Sequence, residues 1–337
     1  MADLSTNYMG LKLKNPIILG ASNLVSKPEI IEELEEAGIA AIVYKSLFEE
    51  QIQLESIQME EELHEYEERN AEMTRLFPNM EHAGPKEHLF NLKTLKNNVR
   101  VPVIASLNAI YEPTWVDYAR ELEQTGVDAL EINLYATPGY FEVEGEKVEY
   151  KQVQIVESVK KAVKIPVSVK LSPFYTNTLN FIKKLDEVGA DGYVLFNRFF
   201  QPDIDIQDEI FFYPWELTRE KDYQLALRYA GLLYGNMDAS ICGTRGISGA
   251  EDIVKMLLAG VDTVQVVSAI YRKQPACVTT MLNDLTTWMN DKGYKSLADF
   301  RGKLSRKNMK DPFTYQRAQY VDILMKAEEV FKKYPMV

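Results

Sequence analysis

The stretch GVDTVQVV, residues 260–267, places a helix-ending glycine directly before a run of β-branched residues. The same Gly-x-Asp signature precedes two other apolar runs, at 126–128 and 189–191. In each signature the glycine can end a helix in the left-handed conformation before the chain enters a strand. A run that is almost continuously β-branched is typical of a strand buried on both faces, as in a parallel sheet. These stretches predict a repeated helix-to-parallel-strand unit.

Eight apolar runs of this kind alternate with amphipathic stretches along the whole chain. The predicted strands are 16–21, 40–45, 101–107, 129–134, 167–171, 192–196, 239–243 and 263–267. The predicted helices between them are 28–37, 87–97, 114–125, 152–163, 179–188, 223–234 and 250–259. Eight β–α repeats favour an α/β protein with a single (β/α)8 TIM barrel across residues 1–337, and a doubly wound sheet is the alternative.

The composition excludes several classes of protein. The 337 residues carry a formal net charge of −12, which disfavours nucleic acid and anionic lipid as partners. The two cysteines are too few for a four-thiolate iron–sulfur site or a disulfide framework, and they fit a reducing compartment. We see no signal peptide, no membrane-spanning run and no His pair at metal-ligand spacing. We therefore expect a cytoplasmic protein without a membrane segment or a metal.

Two segments are longer than a barrel requires. The insertion 49–90 follows the second strand and is strongly acidic over 49–75, and residues 198–222 follow the sixth strand and are rich in aromatic residues. Both are expected to project from the C-terminal face of the barrel, where long loops serve as lids or subunit contacts. The acidic run could equally be a solvated face, whereas the aromatic loop favours a lid or a dimer contact. Residues 291–337 are expected to form a helical extension.

Polar side chains recur where the predicted strands end, and catalytic residues of such barrels lie at these C-terminal ends. The candidates are Lys45, Ser46, Asn108, Asn133, Lys170 and Asn197. Each has a simpler explanation, because either lysine could merely pair with Glu131 and asparagines are common in turns. Their convergence on one mouth is what favours a ligand site.

The turn after the seventh strand favours an anion. Gly243-Thr244-Arg245-Gly246 follows a strand and opens a helix, so its backbone N–H groups and the helix dipole favour a phosphate. Ser268-Ala269 after the eighth strand completes the usual phosphate position of these barrels. No Gly-x-Gly-x-x-Gly lies at a strand–helix joint, so a nicotinamide-binding Rossmann unit is not expected.

Taken together, these segments resemble the dihydroorotate dehydrogenase family, most closely its soluble class 1 members. The resemblance covers about residues 15–303. It rests on Asn15-Pro16 with Ala21-Ser22, on 43–46, on 131–134, on 169–173, on Asn197, on 243–249, on 264–269 and on the tail 292–300.

The resemblance implies a flavoprotein that uses FMN to oxidise dihydroorotate to orotate in pyrimidine synthesis. It implies that Lys45 and Asn133 serve in catalysis and that a homodimer forms; the electron acceptor remains unidentified. The cofactor-binding residues that it implies are Ala21, Ser22, Lys45, Ser46, Asn108, Asn133, Lys170, Asn197, Gly243, Thr244, Arg245, Gly246, Ser268 and Ala269.

The chain departs from the family in the loop after the fourth strand. That loop normally carries a Cys or Ser that removes the substrate proton, but residues 133–139 contain neither, and Ala136 takes the position of the base. Tyr135 and Thr137 are the candidate substitutes. The family's substrate loop is also altered at 73–79, and Arg245 replaces a usual glycine, where it could contact the phosphate.

These departures leave several functions open. The chain could oxidise dihydroorotate with a rearranged base, or carry out a related flavin reaction on another small molecule. It could also be a flavin-binding barrel without catalytic activity that serves a partner protein. A barrel aldolase with Lys170 as the Schiff-base nucleophile is a weaker alternative.

Overall fold

The computed structural model describes residues 2–54, 84–136, 141–199, 201–214 and 216–333. Eight of its strands form a closed barrel in the order β11-β12-β3-β4-β5-β6-β7-β8, which confirms the TIM barrel and excludes the doubly wound sheet. The strands in chain order are β1 (Thr6–Tyr8), β2 (Leu11–Leu13), β3 (Ile17–Leu19), β4 (Ala41–Phe48), β5 (Val103–Asn108), β6 (Ala129–Asn133), β7 (Val167–Leu171), β8 (Gly192–Leu195), β9 (Asp203–Asp205), β10 (Ile210–Phe212), β11 (Ser240–Gly243) and β12 (Thr263–Val266).

Helices flank the barrel strands and cover them from solvent. They are α1 (Pro28–Ala37), α2 (Pro85–Asn98), α3 (Glu112–Gln124), α4 (Gly145–Ala162), α5 (Thr178–Glu187), α6 (Gln224–Leu233), α7 (Ala250–Ala259), α8 (Ser268–Lys273), α9 (Cys277–Lys292), α10 (Arg317–Met325) and α11 (Ala327–Lys333). Two agree with the sequence prediction at both ends, α1 and α7. The prediction was wrong for the start of α4, which begins at Gly145 rather than 152. None of the described helices is long and apolar enough to span a membrane.

The aspartate of each Gly-x-Asp joint ties two neighbouring strands together. Asp128 Oδ2 accepts the Val103 N–H at 2.7 Å, and the Asp128 N–H donates to the Val103 carbonyl at 2.9 Å. Lys96 Nζ, from the helix that precedes β5, lies 2.6 Å from the same carboxylate. The pattern recurs at Asp191 with Val167 and Lys160, and at Asp262 with Ile241 and Arg301. The joint thus ends a helix at its glycine and attaches the next strand through its aspartate.

The β1–β2 hairpin closes the N-terminal end of the barrel. Tyr8 and Met9 are buried there in one apolar cluster with Cys242 of β11. The hairpin is held to the barrel by two bonds, in which the Met9 N–H donates to Ser240 Oγ at 3.0 Å and Thr6 Oγ1 donates to the Asp262 carbonyl at 3.0 Å. Among the described residues, the opposite, C-terminal end of the barrel is the one left open to a ligand.

The predicted insertions have different structures. Residues 49–54 are helical, and the acidic run that follows, at 59–68, lies outside the described residues. Glu49 itself is buried and accepts bonds from the Ile110 N–H at 2.9 Å and from Thr114 Oγ1 at 3.1 Å. Within 198–222 the chain forms the antiparallel β9–β10 hairpin, whose apolar side chains are exposed. Of the aromatic residues in that loop, 200 and 215 lie outside the described part of the chain.

Candidate functional site

A cavity of about 730 Å³ opens at the C-terminal ends of the barrel strands. The residues that line it come from most of the chain, from Ala21 to Tyr271. Of the sequence-predicted cofactor residues, the ones that line it are Ala21, Ser22, Lys45, Ser46, Asn108, Asn133, Lys170, Asn197, Thr244, Arg245, Gly246 and Ser268. Barrel closure thus brings twelve residues of the predicted set to one cavity.

Two predicted cofactor residues lie behind the cavity wall. Gly243 is the last residue of β11, and a Cβ there would lie 2.3 Å from Met256 Cε of α7. Its small size thus permits the packing of α7 on the barrel. Ala269 is buried in the first turn of α8. Among the predicted catalytic residues, Tyr135 lines the cavity, whereas Thr137 lies outside the described residues, as does the altered loop 73–79.

Lys45 and Ser46 both reach the cavity because β4 is irregular. The register between β4 and β5 shifts between Val43 and Ser46. In a regular strand, consecutive side chains point to opposite faces, and a bulge redirects one of them. Ser46 Oγ lies 2.7 Å from Ser106 Oγ of β5, which holds this segment in place. No described carboxylate forms an ion pair with Lys45.

Lys170 lies on the cavity floor within a buried polar network. Its Nζ is 3.3 Å from Glu131 Oε1 and 3.3 Å from Gln265 Oε1. Gln265 Nε2 in turn donates to Glu131 Oε2. Lys170 and Gln265 line the cavity, while Glu131 is completely buried and does not. The simpler explanation of Lys170, a pairing with Glu131, is therefore correct and compatible with a place in the cavity.

Asn133 and Asn197 form an amide pair in the cavity wall. Asn197 Nδ2 donates to Asn133 Oδ1 at 3.0 Å, which leaves the Asn133 amide nitrogen and the Asn197 carbonyl oxygen for other partners. Asn197 is positioned by its backbone N–H, which donates to the Leu171 carbonyl at 2.8 Å. The pair therefore presents both a donor and an acceptor.

The turn after β11 meets the end of the loop 198–222, which follows β8 and is called the strand-six loop because β8 is the sixth barrel strand predicted along the chain. The Gly246 N–H donates to Thr218 Oγ1 at 3.2 Å, and Thr218 Oγ1 donates to Ser268 Oγ at 2.8 Å. Gly246 has a φ of +63°, and a Cβ there would lie 2.6 Å from the Asp222 nitrogen, so only glycine fits. Arg245 Nη2 lies 3.8 Å from Asp222 Oδ2, an ion pair that sequence analysis did not foresee.

Aromatic side chains border the cavity beside β6. The rings of Tyr135 and Phe199 stack with centroids 5.4 Å apart, and Phe174 contacts Phe199 edge-on at 5.5 Å. Ala136, the residue at the position of the family's base, is exposed and does not line the cavity. Tyr135 is thus the described candidate base, placed between the amide pair and the aromatic loop.

Several residues that line the cavity were not predicted from the sequence. They are Asn23, Phe48, Glu50, Ile110, Phe196, Arg198, Glu216, Leu217, Thr218, Ile247, Gln265, Val267 and Tyr271. Gln265 could have been predicted from the sequence, because it is a single polar residue within a β-branched strand. Thr218 and Glu216 had none, since their position depends on how a long loop returns to the barrel.

Two buried polar atoms in the cavity residues have no hydrogen-bond partner. They are Ser22 Oγ and Arg245 Nε. Buried polar groups are nearly always hydrogen-bonded, so unpaired donors in a cavity wall point to a polar ligand. The described donors around the cavity combine two lysines, amides, hydroxyls and the N–H groups of a glycine turn, which suits an anionic, phosphorylated molecule.

Known proteins are similar to this chain over most of its length. The sequence profile of the family described as Dihydroorotate dehydrogenase matches residues 74–289, more than half of the chain. The catalytic subunit of dihydroorotate dehydrogenase B (NAD(+)) from Thermoplasma acidophilum is 26% identical over 307 residues, which cover 90% of this chain and 99% of the relative. The same subunit from Methanosarcina acetivorans is 29% identical over 283 residues, covering 79% and 85%. Dihydroorotate dehydrogenase A (fumarate) from Limosilactobacillus reuteri is 29% identical over 211 residues, covering 60% and 68%. The chain belongs to the dihydroorotate dehydrogenase family, whose members are oxidoreductases that act on CH–CH bonds.

Proposed function

We propose that this chain is an FMN-dependent oxidoreductase that oxidises dihydroorotate, or a related small molecule, by hydride transfer to the flavin. The observation that carries this proposal is the cavity itself. Lys45, Lys170 and the Asn133–Asn197 pair converge at its walls, in a barrel of this family.

The donor set fits FMN. Thr244 and Ser268 offer hydroxyl groups at the customary phosphate position of a TIM barrel. The unpaired Ser22 Oγ and Arg245 Nε add two further donors. FMN supplies an acceptor for the electron pair and proton of a hydride.

Lys45 and Lys170 would hold fixed positive charge beside a bound flavin, which would gain negative charge on reduction. Fixed charges in a cavity closed at one end stabilise such charge strongly, because they need no reorganisation during the reaction. The Asn133 and Asn197 amides orient the substrate through the donor and acceptor that their mutual bond leaves free. The ring of Phe199 stacks on that of Tyr135 and supports this cavity residue in place.

Tyr135 is proposed as the base that accepts the substrate proton, with Thr137 as the second candidate. Ala136 has no group that can accept a proton. Tyr135 lines the cavity, and tyrosine is one of the side chains that transfer protons in enzymes.

A second candidate function is oxidation or reduction of a different small molecule. Ala136 at the position of the base and the Tyr135–Phe199 stack favour this alternative, since both alter the substrate side and leave the cofactor side intact. A flavin-binding barrel that serves a partner protein without catalysis is the remaining alternative.

The decisive experiment is a visible absorption spectrum of the purified protein, followed by anaerobic addition of dihydroorotate. A yellow protein that bleaches supports dihydroorotate oxidation. A yellow protein that does not bleach with dihydroorotate, but does bleach with dithionite, supports a different substrate or a non-catalytic role. A protein that stays colourless after incubation with FMN refutes the flavoenzyme.

The partners of the proposed enzyme are a small-molecule substrate, an electron acceptor and a second copy of the chain in the cytoplasm. The names of the relatives include two acceptors, NAD(+) and fumarate, so the family alone does not assign one. The exposed β9–β10 hairpin supports the proposed homodimer, because its apolar side chains are left in water in a single chain.

A further inference from the structure

The network behind the cavity floor has one member that no ligand can touch. Glu131 has no exposed surface, and both of its carboxylate oxygens are engaged, Oε1 by Lys170 and Oε2 by Gln265. The two residues that it binds both line the cavity. Glu131 can therefore affect a ligand through the orientation of Lys170 and Gln265 and through its charge, but not by direct contact.

The bonds within the network determine the orientation of both cavity residues. Lys170 Nζ lies 3.3 Å from both Glu131 Oε1 and Gln265 Oε1. The Gln265 amide can serve Glu131 and Lys170 together only in one orientation, with its nitrogen toward the carboxylate and its oxygen toward the ammonium. The Glu131 carboxylate thus holds the Lys170 ammonium in place and turns the Gln265 oxygen toward it.

The network also combines opposite charges at short range. A buried carboxylate next to a lysine offsets part of the positive potential that the lysine produces in the cavity. The low dielectric constant of the protein interior strengthens this effect. A flavin gains negative charge on reduction, so the potential at the cavity floor governs how readily it accepts electrons.

We propose that Glu131 is a positioning residue that orients Lys170 and Gln265 and lowers the reduction potential of the bound flavin. This inference rests on the proposed FMN-dependent function. Glu131 is not a catalytic residue, because it is completely buried and does not line the cavity.

The test compares the flavin midpoint potential of the wild-type protein with that of Glu131→Gln at pH 6 and pH 8, by anaerobic titration against a reference dye. Glutamine keeps the shape and removes the charge, so the potential must rise, changing the ratio of reduced to oxidised flavin by on the order of tenfold. An unchanged potential at both pH values overturns the proposal.

The matched control is Asp191→Asn. Asp191 also pairs with a lysine, Lys160, and its substitution removes one negative charge from the barrel wall without touching the network. The control must leave the potential unchanged, and a rise equal to that of Glu131→Gln overturns the proposal.

Two outcomes separate this inference from the proposed function. Wild-type protein that does not bind FMN refutes the function, whereas FMN-bound variants of equal potential refute only the role of Glu131. If the Glu131→Gln protein fails to fold, Glu131→Asp tests the same point. The shorter side chain withdraws the carboxylate from Lys170 and Gln265, so the potential must still rise, and no change overturns the proposal.

Discussion

Lys45 and Lys170 reach the same cavity for different local reasons. Lys170 points inward in the regular alternation of β7 and is neutralised in part by Glu131. Lys45 enters through the irregular register of β4 and has no ion-pair partner among the described residues. The positive charge of Lys45 is therefore offset less by neighbouring carboxylates than that of Lys170.

Replacement of Lys45 by alanine should slow flavin reduction by substrate by about 100-fold, the order of effect seen when one fixed electrostatic group is removed from an active site. Anaerobic stopped-flow absorbance of the FMN-bound protein measures this rate. The matched control is Lys184→Ala, in the exposed last turn of α5 at the far end of the barrel. Equal rates for wild type and Lys45→Ala would show that Lys45 is not in the site.

His88 is a buried histidine beside the cavity strand β4. Its ring contacts Tyr44 edge-on with centroids 5.1 Å apart. Burial lowers the pKa of His88 to about 4, and the positive charge of Lys45 contributes in the same direction. The native protein therefore keeps this ring neutral near neutral pH.

The depressed pKa of His88 predicts a specific loss of stability in acid. Between about pH 6.5 and pH 4 the unfolded state binds the proton and the native state does not, so the free energy of unfolding falls as the pH falls. The slope is about 1.4 kcal/mol per pH unit within that window. Urea unfolding of wild type and His88→Leu at several pH values measures it. The difference between the two proteins should vary with pH below 6.5 and stay constant above 7.

At the scale of elements, the Gly-x-Asp joints connect each helix–strand unit to the next. The glycines at 126, 189 and 260 all have positive φ, which confirms that they end helices. The function of the aspartates became evident only with the structure, because their partners lie in the preceding strand.

The joint at Asp128 predicts a difference between two substitutions. Asp128→Ala leaves the buried Val103 N–H without its side-chain acceptor and should cost about 1–3 kcal/mol of unfolding free energy. Lys96→Ala removes only the partly exposed ion pair and should cost less than about 1 kcal/mol. Chemical denaturation followed by far-UV circular dichroism measures both. Equal costs would contradict a role for the backbone bond.

Sequence patterns identified the barrel elements well and the irregular ones poorly. Periodic apolar positions predicted all eight barrel strands, whereas the first turns of α4 carry mainly exposed polar residues and give no amphipathic signal. The β9–β10 hairpin was also missed, because its apolar side chains do not face a core. Arg245, expected at a phosphate, also pairs with Asp222, since the strand-six loop packs on this turn.

At the scale of the whole molecule, the barrel is closed at one end and open at the other. The β1–β2 hairpin fills the N-terminal end, and all described cavity residues lie at the C-terminal end. The strand-six loop spans from this mouth to an exposed apolar hairpin, in which Phe211 lies opposite Ile204. A second copy bound at the hairpin would thus lie near the mouth of the cavity.

The proposed homodimer predicts that Ile204→Ser/Phe211→Ser yields a monomer. Both side chains are more than half exposed in the single chain, so their replacement should leave its stability nearly unchanged while it removes apolar contact area. Size-exclusion chromatography with light scattering measures the mass. Leu324→Ser, which alters a similarly exposed residue on α10, serves as the control and should remain dimeric. A monomeric wild-type protein would refute the homodimer.

The kind and order of the elements and the polar residues at the strand ends could be predicted from the sequence. Both depend on local periodicity and on the direction in which parallel strands run. The structure was needed to show which of these residues share a cavity, that the register of β4 is irregular beside Lys45, and that Thr218 bonds to Ser268. Such contacts join residues far apart in the chain, so they depend on barrel closure and loop geometry, which no local pattern encodes.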